Sequence, residues 1–185
     1  MSVALGAARV LVCVALLASC GSTSPHPVPG GASFERDDFR FVAPTGWQVR
    51  SSTEVSFGAS RRVVYLANQE LRDDCAEEAT GVTCSPPIDG GLRPGAMLVT
   101  WVVRSCVARG CDLPPGRLIT IGNRQGVNAP MDAGCPDIGS TEISAWHVSV
   151  TPQRVDVLMA CSRDPSDGTR AAFLGFLDAI RWRIP

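Results

Sequence analysis

Cysteine is the residue type whose number and spacing carry the most chemistry in this chain of 185 residues: Cys13, Cys20, Cys75, Cys84, Cys106, Cys111, Cys135 and Cys161. The last six lie in the body of the chain. An even set of thiols in an exported domain favours disulfides, although six cysteines can pair in 15 ways. Cys75 and Cys84 bracket eight residues and Cys106 and Cys111 bracket four, so each pair can close a short polar loop, leaving Cys135 for Cys161. The competing chemistry is a zinc site of Cys75, Cys84, Cys106 and Cys111. Structural zinc ligands usually arrive in pairs separated by two to four residues, a spacing that 106 and 111 meet and 75 and 84 do not. Three disulfides and no metal are therefore expected.

Other reactive side chains are sparse. His147 is the single histidine beyond the first 30 residues, and with Ser149 and Asp156 it supplies the ingredients of a Ser/His/Asp set. Neither a G-x-S-x-G elbow nor an H-E-x-x-H helix accompanies it, so His147 reads as a solvated strand residue. Asp73, Asp74, Glu77 and Glu78 surround Cys75. Hard cations favour several such oxygens, yet the Asp-x-Asp-x-Asp-Gly register is missing, and a solvated acidic loop is expected. "DGGLRPGA", Asp89 to Ala96, is Gly-rich but lacks the lysine and spacing of a phosphate loop. No catalytic residue and no cofactor are assigned. Net charge is −1, with 17 arginines, no lysine and 18 acids, which offers no broad field for nucleic acid. The pairs Arg61 with Arg62 and Arg181 with Arg183 read as wet surface.

The amino terminus carries a different chemistry. Arg9 precedes the apolar run "VLVCVALLA", Val10 to Ala18, which has the outline of a secretory signal and is about half the length of a membrane-spanning helix. Leu17, Ala18, Ser19 and Cys20 resemble the bacterial lipobox, whose cysteine sulfur is alkylated by diacylglycerol. The resemblance makes residues 1–19 a lipoprotein signal peptide and Cys20 the lipidated first residue of the mature chain. "GSTSPHPVPGGAS" then replaces apolar pattern with Ser, Pro and Gly, so residues 20–33 read as a flexible tether, with His26 a solvated member of it.

These features must be positioned by a single extracytoplasmic domain over 34–185, whose pattern is that of strands. "FRFVAPTGWQV" suggests two extended pieces joined at Pro-Thr-Gly, with Trp47 a core or edge-packing residue. "RRVVYLAN" reads as an internal strand, and "AMLVTWVV", dense in β-branched and aromatic residues, as a central one. "RLITIGNRQGVNA" is a hairpin with Gly122 and Asn123 expected at positive φ. "SAWHVSV" and "RVDVLMAC" form a further pair, in which Trp146, Val148 and Val150 share one face and His147 takes the other. In "DPSDGTRAAFLGFLDAIRW", Asp164 is a candidate helix cap, Pro165 suits the first turn, and Phe173, Phe176, Leu177 and Ile180 form one helical face. The expected class is α+β: a mostly antiparallel sheet with a C-terminal helix packed on it, braced by disulfides.

"FVAPTGW", the glycine-turn hairpin and the closing "FLDAIRWRIP" together resemble a group of actinobacterial lipoproteins, some of them similar to PsbP/Mog1-like domains. That resemblance implies an α+β fold with binding or assembly roles and carries over no catalytic residue. The functional expectation is a lipid-anchored cell-envelope protein, held to the membrane through a diacylglyceryl group on Cys20, that acts as a non-enzymatic binding or accessory module. Its alternatives are an envelope hydrolase with a scattered site and a structural surface lipoprotein.

Overall fold

Alternating apolar residues dominate the computed structural model, which describes residues 31–183 apart from 53–57, 79–80, 107–109, 132–134 and 136. Cys13, Cys20 and His26 lie outside the described residues. The chain is mostly antiparallel sheet with one C-terminal helix. A seven-stranded sheet has the order β3 (Gln48–Ser51), β4 (Ser60–Ala67), β7 (Met97–Ser105), β11 (Arg154–Ser162), β10 (Glu142–Thr151), β9 (Arg124–Ala129) and β8 (Arg117–Ile121). A three-stranded sheet joins β2 (Phe39–Val42) to β1 (Ser33–Glu35) and to β12 (Arg181–Trp182). The hairpin β5 (Cys75–Glu78) and β6 (Gly81–Cys84) forms a two-stranded sheet of its own among the described residues, and α1 spans Asp167–Ala179.

Pro-Thr-Gly does form a turn, in which Trp47 N donates to Pro44 O at 3.0 Å and Gly46 has φ of 79°, a backbone angle that costs glycine little. The strands it joins do not pair with each other. It hands the chain from the small sheet to the large one. β7 is interior, as its sequence predicts, while the centre of the large sheet falls on β11.

Alternation gives the large sheet two apolar faces. On one, Val64, Leu66, Val99, Trp101, Val148, Leu158 and Ala160 meet Phe173, Phe176 and Leu177 of α1 and Phe39 and Phe41 of β2 in one core. The Phe39 ring stacks on Trp101 with centroids 3.9 Å apart, and Phe41 meets Phe176 edge-on at 5.1 Å. Each such fully buried side chain contributes about 1.5–3 kcal/mol. On the other face, Tyr65, Ala67, Leu98, Met159 and Cys161 are covered by loop residues Leu71, Ile88, Leu92 and Ile138.

Two local expectations are corrected. The helix is capped by Ser166, whose Oγ accepts from Thr169 N at 3.1 Å, and not by Asp164, which sits at φ 46° with its amide bonded to Thr141. In the β8–β9 turn, Gly122 alone has positive φ, 61°; Asn123 does not. Glycine is required there twice over, because a Cβ at 122 would lie 2.0 Å from the Ile180 carbonyl oxygen. That close approach lets Trp182 Nε1 donate to Ile121 O and Trp182 N to Asn123 Oδ1, docking the chain's end onto the turn. Among the described residues no helix is long and apolar enough to cross a membrane.

Candidate functional site

Register decides the fate of the Ser/His/Asp ingredients. His147 lies opposite Val157, Ser149 opposite Val155, and Asp156 opposite Val148. Val148 belongs to the helix-side core, so Asp156 shares that face while His147 and Ser149 occupy the reverse one. The sheet itself separates the acid from the imidazole.

Asp156 is fully buried and held at both oxygens: Trp101 Nε1 donates to Oδ2 at 2.8 Å, and Arg154 donates from Nε to Oδ1 at 2.6 Å and from Nη2 to Oδ2 at 2.8 Å. Arg154 reaches with Nη1 to Asp38, in the β1–β2 turn, and Arg36 Nε stands 3.6 Å from the other Asp38 oxygen. Burial is the largest influence on Asp156 and raises its pKa from that of an ordinary aspartate, against the lowering effect of Arg154 and Trp101. Burial also disfavours the Arg154 cation, but its bonds to Asp156 and Asp38 outweigh that and raise its pKa. A carboxylate already gripped by a bidentate guanidinium and an indole is a poor base toward any further group. Its chemistry is that of a clamp, tying the small sheet to the large one.

His147 is nine-tenths buried, contrary to the solvated position its strand suggested, and its Nδ1 is enclosed with no hydrogen-bond partner among the described residues. Burial lowers its pKa, and the positive Arg104 lowers it further. The ring is therefore neutral near pH 7. Arg104 Nε is likewise enclosed with no hydrogen-bond partner among the described residues, while its Nη2 makes a long 3.5 Å bond to Asp112 O.

The acidic loop is also less solvated than expected. Asp73 is exposed and pairs with Arg50, but Asp74 is buried and accepts from Ser52 Oγ at 2.5 Å. The side chains of Glu77 and Glu78 lie outside the described residues. Among the described residues no three acidic, histidine or cysteine groups are arranged to hold a metal ion.

The cysteines stand in three couples at disulfide distance: Cys75 with Cys84, Cys106 with Cys111 and Cys135 with Cys161, with Cα separations of 4.0, 5.3 and 5.7 Å. The first couple joins directly opposed residues of the β5–β6 hairpin, a strand pair where sequence suggests only a loop. The third ties Cys135, packed against the second core, to Cys161, a fully buried member of it. Of the arginine pairs, Arg61 is exposed and Arg62 half-buried. Arg181 bonds to the carbonyls of Asp178 and Ile180, and Arg183 pairs with Glu35.

Sequence reasoning missed the clamp of Asp38, Trp101 and Arg154. One signal was available: period-two alternation puts Arg154 and Asp156 on the same face as Leu158 and Ala160, so two charges fall in a buried register. No protein-family model, no curated protein and no solved structure matches the chain.

Proposed function

We propose that this protein is a lipid-anchored, extracytoplasmic binding or accessory module of the cell envelope, with residues 1–19 as export signal, 20–33 as tether and 34–185 as the displayed domain. The observation that carries the reading is the run Leu17, Ala18, Ser19 and Cys20 at the end of an apolar segment, followed by a Ser/Pro/Gly stretch that leads into β1. The resemblance to actinobacterial lipoproteins agrees with it. A non-enzymatic role is supported by the commitment of Asp156 to Arg154 and Trp101 and by its separation from His147 across the sheet. Two acyl chains suit a stable tether, since one alone gives only marginal membrane binding.

The test is the mature N-terminal peptide. Mass spectrometry should find diacylglycerol on Cys20, and Cys20→Ser should release the chain from the membrane fraction. An unmodified terminus at another residue would overturn the reading.

A further inference from the structure

We infer that the outer face of the β1–β2–β12 sheet is a membrane-docking surface, resting on the anionic phosphate headgroups of the bilayer that holds Cys20. The inference rests on the lipid-anchor reading and adds an orientation to it.

Chain geometry comes first. Ala43 N donates to Ala32 O at 2.9 Å, and a Cβ on Gly31 would lie 1.7 Å from the Ala43 carbonyl oxygen, so the chain enters the fold pressed against the small sheet. Eleven residue-to-residue steps lead from Cys20 to Gly31, a reach of at most about 36–40 Å. The small sheet is thus the part of the fold with the shortest tether to the lipid.

Charge points the same way. Phe39 and Phe41 face the core, which turns Arg40 and Val42 outward, and the register sets Glu35, Arg40 and Arg181 side by side. Two cations directly opposed on neighbouring strands repel each other. Arg181 is tied back to the last turn of α1, donating to Asp178 O at 2.6 Å and Ile180 O at 2.9 Å, and Glu35 is taken by Arg183 at 2.7 Å. Arg40 has no ion-pair or side-chain hydrogen-bond partner among the described residues, and Val42 beside it is 46% exposed. Asp37, in the β1–β2 turn, and Asp178, in the last turn of α1, are exposed acids outside these three strands. On the face itself three arginines, Arg40, Arg181 and Arg183, stand against the one acid Glu35, with Val42 alongside; a patch that small is too weak to hold a membrane unaided, but a tether converts that contact into an intramolecular one at high effective concentration. Phosphate headgroups supply the missing anions for Arg40 and Arg181.

The test uses the full acylated chain floated on vesicles of phosphatidylcholine alone or mixed with phosphatidylglycerol, treated with an arginine-selective dicarbonyl and read residue by residue by mass spectrometry. On the anionic vesicles Arg40 and Arg181 should react at least about threefold more slowly than on the neutral ones, with Arg93 and Arg117 unchanged, and high salt should erase the difference. A chain that fails to float overturns the anchor and the orientation with it. A floated chain with equal rates on both vesicles, or with Arg93 or Arg117 protected instead, overturns the orientation alone. Protection in intact envelopes but not on vesicles would assign the face to a protein partner and also overturn it.

Discussion

The helix face and the loop face of the seven-stranded sheet grow from the same alternating strands, yet they are closed by different physics. On the helix face, rings from Phe39, Phe41, Trp101, Phe176 and Trp182 stack or meet edge-on in a continuous core, and a charged cluster, Asp38–Arg154–Asp156, is held together by the Arg154 guanidinium. On the loop face a smaller core lies under segments without regular structure, and a covalent link from Cys135 to Cys161 holds the cover down. A helix brings its own backbone hydrogen bonds and an apolar stripe. A loop brings neither, and a cross-link substitutes for them by restricting the unfolded chain.

The contrast is sharpest at the clamp. Arg154→Met should leave the buried Asp156 without its cation and Asp38 with Arg36 alone, and cost about 3–5 kcal/mol in chemical denaturation, because stripping one partner from a buried pair exposes the other's full desolvation penalty. A loss under about 1 kcal/mol would show that the clamp is incidental. On the loop face, Cys135→Ala with Cys161→Ala should cost about 3 kcal/mol, the entropy of a loop of this length. Cys75→Ala with Cys84→Ala closes a shorter loop on a hairpin outside both cores, and should cost about 2 kcal/mol or less. A reversal of that order would mean that the hairpin supports more of the fold than its packing suggests.

The smallest effects are those of pH, and the two faces should oppose each other. His147 has a lowered pKa when folded, so as pH falls below about 6.5 the unfolded chain takes up the proton first and stability declines. His147→Gln should flatten that decline in denaturant midpoints measured from about pH 7 to pH 5. Asp156 has a raised pKa when folded, so at more acid pH the folded chain takes up the proton first and gains stability until the unfolded carboxyl titrates as well. Asp156→Asn should remove that gain. Equal pH profiles for wild type and both variants would remove the distinction.

Much of this architecture is legible in the residues. The strands over Arg61 to Asn68 and Ala96 to Val103, the Gly122 hairpin and the helix carrying Phe173, Phe176 and Leu177 follow from alternation, turn chemistry and helical spacing. The three cysteine couples are those that local spacing favours. His147 is harder to read, because a histidine on the second face of a strand is solvated or buried according to what packs there, and Arg104, whose charge acts on it, comes from β7, far away in sequence. Asp74 was misjudged for the same reason: its partner, Ser52, is 22 residues away.

Sequence alone determined the class of fold, the likeness of Leu17 to Cys20 to a lipidation motif, and the polar stretch that follows Cys20. These depend on periodicity and local chemistry, which nearest neighbours along the chain encode. Tertiary structure alone decided that β2 and β3 belong to different sheets, that Asp156 is clamped by Trp101 and Arg154 on the face opposite His147, and that Arg40 stands beside Arg181 near the point where the chain enters the fold. Those facts depend on register between strands far apart in sequence, and a shift of one residue would have sent every one of these side chains to the other face.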